Sequence, residues 1–308
     1  MNRRTILGAA TLGGAGIALT ATMTAVAQTK STLPATTRPT GSFVTAMDGT
    51  SLFVQDWGRG RPVVLLSAWT FNSTVWGSHI TSLAESGFRC VAPDRRGHGR
   101  SEAPSGGYDA NTLADDVAAV LEQKDLRDAI LIAHSMGSIE AVNYLARHGS
   151  GRISKLILLA PVTPYILKTD DNPDGVPAIA VEAQYRAIAS DFPRWIADSE
   201  APFFAPETIA DTRTWIKTMM LGVSLPIALA CRATISSVDL RAAVEKIDRP
   251  TLIVHGDKDA SAPLPITGIK TARMIPGSKL VVIEGAPHCL TITHQDRILN
   301  EILDFVRA

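Results

Sequence analysis

The stretch Leu131-Ile-Ala-His-Ser-Met-Gly-Ser-Ile-Glu140 decides how the rest of the chain is read. An apolar run ends at Ser135, and a helical pattern starts at Met136. A serine at such a junction sits on a tight turn, with its hydroxyl projecting above a sheet and a helix beginning behind it. The turn needs small neighbours two residues before and two after, so that strand and helix can approach. Gly137 meets that demand, and Ala133 stands where a second glycine is usual. Serine also favours helix starts as a cap, so these five residues alone do not separate a nucleophile from an ordinary junction.

Reading outward, "PVVLLS" (62–67), "RCVAP" (89–93), "AILIAH" (129–134) and "SKLILLA" (154–160) are continuous apolar runs. Such runs suit strands buried on both faces. Helical patterns lie between them, around 74–86, 113–124 and 136–148. Before them "SFVTA" and "SLFVQDW" flank Asp48-Gly49, a hairpin signal. A hairpin followed by alternating strands and helices predicts a mostly parallel sheet covered by helices on both sides. From about Pro164 to Asp239 no convincing strand is visible, and short helices are expected to form a cap over the strand ends. Two more strand units follow, "TLIVHG" (251–256) and "KLVVIEG" (279–285). The expected organisation is a core of residues 41–163 and 240–308 with a helical cap over 164–239.

"VHGDKDASAP" places Asp257 and Asp259 at the carboxyl end of the next-to-last strand, and "EGAPHCL" places His288 after the last. The order Ser, Asp, His fits this architecture and differs from the orders on other serine-hydrolase folds. All three fall at the sheet edge where ligand sites of open α/β sheets lie. The chemistry requires these types. A neutral hydroxyl is a poor nucleophile until an imidazole takes its proton, and a carboxylate fixes the imidazole tautomer.

The motifs "APDRRGHGRSEAP" (92–104), "ADDVAAVLEQ" (114–123), "AHSMGSIEAVNYLARH" (133–148), "PTLIVHGDKDASAP" (250–263) and "GAPHCL" (285–290) resemble those of the α/β-hydrolases. The resemblance is to their cofactor-free haloperoxidase/aryl-esterase-like branch. It spans essentially the whole mature chain and is weakest over 165–240. It implies an eight-stranded sheet, Ser135 as nucleophile, His288 as general base and Asp259 as the acid. Asp259 is preferred to Asp257 because the matching motif, G-x-x-D, starts at Gly256. The oxyanion hole is then formed by the N–H groups of Met136 and Trp69. Relatives carry His-Gly before the second donor; here Ser67-Ala68 replace them, so if that position needs a left-handed φ, either Ala68 is strained or the loop takes another path. Members associated with peracid formation commonly have proline where this chain has Thr70, which tilts the expectation toward ester, lactone or amide hydrolysis.

His134, Trp195 and Trp215 are the candidate pocket residues, although the two tryptophans read more readily as core of the cap than as substrate contacts. His98 belongs to a loop that marks the fold. His255, Asp257 and Asp259 lack the second nearby histidine of a hydrolytic metal site, so no metal or other cofactor is expected.

The N-terminal "MNRRTILGAATLGGAGIALTATMTAVAQ" combines Arg3-Arg4, a long uncharged run and Ala25-Val26-Ala27, a small-residue cleavage site. It resembles a twin-arginine export signal, residues 1–27, removed to leave a periplasmic or secreted protein without stable membrane insertion. Residues 28–40 read as a flexible lead-in. Across the 308 residues, 30 Lys and Arg balance 30 Asp and Glu, and 45% of residues are hydrophobic. With no basic stripe, nothing points to nucleic acid. The expected partner is a small molecule, and homo-oligomerisation is left open. Three cysteines, Cys90, Cys231 and Cys289, allow one disulfide at most.

Overall fold

The computed structural model describes residues 42–308; the proposed export signal (1–27) and lead-in (28–40) lie outside the described residues. The apolar runs form the centre of an eight-stranded sheet, ordered β1-β2-β4-β3-β5-β6-β7-β8. The strands are β1 (Phe43–Thr45), β2 (Ser51–Gly58), β3 (Arg61–Leu66), β4 (Phe88–Pro93), β5 (Ala129–His134), β6 (Ile153–Leu159), β7 (Thr251–Gly256) and β8 (Lys279–Ile283). β1 and β2 form the antiparallel hairpin, β2 runs antiparallel to β4, and every pairing from β4 to β8 is parallel. All six residues of β5 and of β7 are buried, as unbroken apolar runs require when helices cover both faces.

The helices are α1 (Gly77–Glu85), α2 (Ala110–Gln123), α3 (Gly137–His148), α4 (Ala178–Ser190), α5 (Phe192–Asp198), α6 (Glu200–Phe203), α7 (Ala210–Leu221), α8 (Leu225–Ser237), α9 (Arg241–Val244), α10 (Gly268–Met274), α11 (Leu290–Thr293) and α12 (Gln295–Arg307). α1 packs with α12, while α2 packs with α3 and α3 with α9, giving two helical layers around the sheet. α2 starts three residues earlier than its apolar pattern because Asp109 caps it, accepting from the N–H groups of Asn111 (3.0 Å) and Thr112 (3.1 Å). Between β6 and β7 the described chain holds helices and two isolated bridges, Leu167–Val176 and Thr169–Asn172. Buried side chains of these helices, among them Ile188, Phe192, Ile216 and Ile235, join the same apolar cluster as the sheet.

Candidate active site

β5 delivers Ser135 to the sheet edge in a left-handed conformation, φ 52°. For a non-glycine residue this costs on the order of 1–3 kcal/mol and needs support from its surroundings. Ser135 N–H donates to Leu159 O (3.0 Å), continuing the ladder with β6, and its own carbonyl accepts from Ser138 N–H (2.9 Å) and Ser138 Oγ–H (2.6 Å). The glycine requirement falls on the helix side of the turn. A Cβ on Gly137 would lie 2.7 Å from Leu66 O and 2.9 Å from Leu66 Cβ. Ala133, paired with Leu66 of β3 and Leu158 of β6, is buried within the sheet with its methyl accommodated.

The loops after β7 and β8 bring two partners to that serine. His288 Nε2 lies 2.8 Å from Ser135 Oγ, and His288 Nδ1 lies 2.7 Å from Asp259 Oδ2. Oδ1 of Asp259 accepts from the N–H groups of Ser261 (2.9 Å) and Ala262 (2.8 Å). His255 Nε2, which donates to Ala262 O at 2.8 Å, also lies 3.1 Å from Oδ2. Burial pushes the Asp259 carboxyl up, but the His288 charge and hydrogen bonds from both histidines outweigh it and hold the group well below the usual carboxylate range. An ionised Asp259 accepts a hydrogen bond from His288 Nδ1–H, leaving the Nε2 lone pair to accept from the Ser135 hydroxyl. Asp257 is elsewhere: its Oδ1 accepts from Gly285 N–H at 2.6 Å and fixes the turn after β8.

The loop after β3 faces the same serine. Ala68 stays outside the left-handed region, which is taken instead by Thr70 at φ 62°. Of the two expectations for this loop the second holds: Ala68 is unstrained and the loop takes another path, turning two residues later. Among the described residues neither Trp69 N–H nor Met136 N–H has an acceptor. The loop is tied from both sides. Arg95, next to β4, donates to Ser67 O (2.6 Å) and Ala68 O (3.2 Å) through Nη2 and Nη1, and through Nε to Glu140 of α3. From the helices between β6 and β7, Ala228 O accepts from the Trp69 indole N–H (2.9 Å), and Trp195 packs edge-on at 5.5 Å. In the sequence Arg95 stood out only as part of the motif "APDRRGHGRSEAP", two residues past the end of β4.

Ser135, His288 and Trp69 open into a cavity of about 280 Å3, walled by Trp195, Phe203 and Met220 and bearing Gln184, Arg232, Glu200 and Lys217. Of the three candidate pocket residues only Trp195 lines it. His134 is fully buried beneath it, because β5 points that side chain into the core. Its Nε2–H donates to the backbone carbonyl of His288 (3.0 Å), and burial, with the His288 charge, pushes its pKa down to about 3. Trp215 is 43% exposed and borders a separate surface depression with Thr208 and Ile292. His98 is buried away from the cavity, its Nδ1–H donating to Arg96 O (2.9 Å). The three cysteines are free and buried.

Residues 61–295 match the family model described as the alpha/beta hydrolase fold. A non-heme chloroperoxidase of Kitasatospora aureofaciens is 35% identical, over 85% of this chain and 98% of its own. A bifunctional esterase/perhydrolase of Acinetobacter calcoaceticus is 33% identical, over 86% and 99%. Among solved structures, an esterase of Exiguobacterium antarcticum superposes with a TM-score of 0.84 at 32% identity, covering 87% of this chain and all of that one. Sheet order, elbow and these relatives agree, and the chain belongs to the α/β-hydrolase family.

Proposed function

We propose that the protein is a serine hydrolase that cleaves a small carboxylic ester or lactone through an acyl-enzyme. The observation that carries this is the hydrogen-bonded series Ser135–His288–Asp259 at the floor of a walled cavity. His288 Nε2 takes the Ser135 proton as Oγ bonds to the ester carbon. The carbonyl oxygen becomes an oxyanion, held by the N–H groups of Trp69 and Met136. Collapse breaks the C–O bond, and the imidazolium returns its proton to the departing alkoxide. Water then repeats the sequence on the acyl-enzyme, with His288 again the base, releasing the acid. No step needs a metal or an organic cofactor.

A second reading is supported by the chloroperoxidase and perhydrolase names among the relatives. Hydrogen peroxide replaces water at the acyl-enzyme and leaves as a peracid. That peracid oxidises halide to hypohalous acid in solution and becomes the carboxylate. Thr70 bears on the choice, because a proline ring cannot take its φ of 62°. The loop thus departs in backbone path from members that carry proline there, which favours water as the acceptor. The test compares p-nitrophenyl acetate hydrolysis with bromination of an indicator in acetate, peroxide and bromide. Hydrolysis without peroxide-dependent bromination supports the first reading, and bromination lost in Ser135→Ala supports the second. Undiminished hydrolysis by Ser135→Ala overturns both.

A further inference from the structure

A cation without a counter-ion stands in the wall of the cavity. Arg232 lies in α8, as the only charged residue of the run "LPIALACRATISS". Its Nη2 donates to Oε1 of Gln184, which α4 presents from across the cavity wall. Its Nε is buried with no acceptor, and no carboxylate among the described residues pairs with the guanidinium. Every other charged group on the wall is matched. Lys217 Nζ lies 2.6 Å from Glu200 Oε2, and Glu200 Oε1 also takes Arg213 Nη1 at 3.4 Å. Counted without Asp259 and His288, the cavity residues Arg232, Lys217 and Glu200 leave one uncompensated positive charge.

Such an arrangement is unfavourable for an empty protein. Arg232 is half-buried with its Nε fully enclosed, and withdrawing a guanidinium from water without an anion is unfavourable, so a cation in a cavity wall with no carboxylate partner marks a candidate ligand site. Here burial is strong enough to push the Arg232 pKa down to about 10. The guanidinium remains ionised, and with Nη2 turned to Gln184 and Nε enclosed it is Nη1 that has no partner among the described residues and is left to meet an oxyanion. Gln184 gives its oxygen to Arg232, and its amide N–H groups remain as further donors in the cavity wall.

We propose that Arg232, with Gln184 beside it, binds a carboxylate on the substrate, so that the ester or lactone cleaved at Ser135 carries a second, anionic group. This rests on the reading of Ser135 as nucleophile, and it narrows the substrate class to half-esters of dicarboxylic acids and lactones bearing a free carboxylate. The apolar wall of Trp195, Phe203 and Met220 accommodates the methylene chain between the two ends. An arginine–carboxylate pair suits the task because charge-assisted N–H···O bonds fix the orientation of the ligand as well as holding it.

The experiment compares monomethyl and dimethyl esters of succinate, glutarate and adipate on wild-type protein and on Arg232→Met. Wild type is expected to prefer one monoanion over its diester in kcat/KM. In Arg232→Met that preference should fall at least about a hundredfold, while diester hydrolysis stays within a few-fold. Tm should rise in the variant, since an apolar side chain of similar length relieves an unpaired buried charge. Glutarate and adipate binding to the Ser135→Ala protein, followed by calorimetry, is a readout without turnover. Loss of that binding on adding Arg232→Met supports the anion site even if Ser135 proves not to be the nucleophile. An unchanged monoanion/diester ratio in Arg232→Met overturns the proposal. So does a parallel loss of both activities with a lowered Tm, which is the signature of a structural arginine.

Discussion

Replacing Asp259 by asparagine tests how the imidazole is held, and the backbone determines which way the new amide points. Two N–H groups, of Ser261 and Ala262, converge on Oδ1 at 2.9 and 2.8 Å. Turning the amide nitrogen toward them would leave both buried donors unsatisfied, at ~1–3 kcal/mol apiece. The oxygen therefore stays on Oδ1's site, and the NH2 group takes the place of Oδ2, 2.7 Å from His288 Nδ1. An N–H there forces Nδ1 to accept, so the ring proton moves to Nε2 and faces the Ser135 hydroxyl at 2.8 Å. The base is then in the wrong tautomer for taking a proton. The loss expected for this change in a serine triad is about 10⁴-fold in kcat, or ~5.5 kcal/mol of transition-state stabilisation. The assay is kcat for p-nitrophenyl acetate at pH 7–8, with melting curves to show that the variant is folded. A folded Asp259→Asn protein that keeps kcat within tenfold of wild type would refute the reasoning.

Three further outcomes are expected. Arg95→Met leaves Glu140 buried without its partner and frees the Ser67 and Ala68 carbonyls, so stability should fall by ~3–5 kcal/mol by denaturant titration. The double variant with Glu140→Leu should recover most of that stability but not kcat, because the loop carrying Trp69 stays untied. His79, His98 and His134 are buried, and burial lowers their pKa values to about 4, 3 and 3 from 6.5. Their folded-state values lie below the unfolded one, so the stability they permit is complete above pH 6.5 and is lost as pH falls below it. The slope approaches ~1.4 kcal/mol per pH unit for each ring. Urea midpoints measured from pH 7 to 5 should show it, and His79→Phe, which removes a ring with no hydrogen-bond partner at either nitrogen, should flatten it by one proton. We propose export with cleavage after Ala27, so N-terminal sequencing of protein recovered from the periplasm or medium should begin at Gln28; a start at Met1 would contradict it.

The central strands were legible because parallel strands buried on both faces leave unbroken apolar runs, and "TLIVHG" matches β7 end for end. Element ends depend on caps and turns, and there the pattern slipped: Asp109 starts α2 three residues early. The juxtaposition of Ser135, Asp259 and His288 was readable because Ser135 follows β5 directly and the other two lie in the loops after β7 and β8, so strand order brings all three to one edge. The pocket was not. His134 is next to the serine in sequence, yet strand alternation turns it into the core, and Trp215 lies on a helix whose exposed side faces away from the cavity. Arg95 and Arg232 act through contacts with residues 27 to 48 positions away, which no local pattern carries. For Arg232 a signal existed: a lone cation inside a mostly apolar helix is out of place unless something meets its charge.

The central claim is that Ser135 is a nucleophile activated by His288. A fluorophosphonate probe incubated with the folded protein, followed by peptide mass spectrometry, tests it most directly. Stoichiometric labelling of Ser135, abolished by prior heat denaturation and slowed at least a hundredfold in His288→Ala, is the predicted result. An unlabelled Ser135 in folded protein, or labelling at an equal rate in His288→Ala, would contradict it.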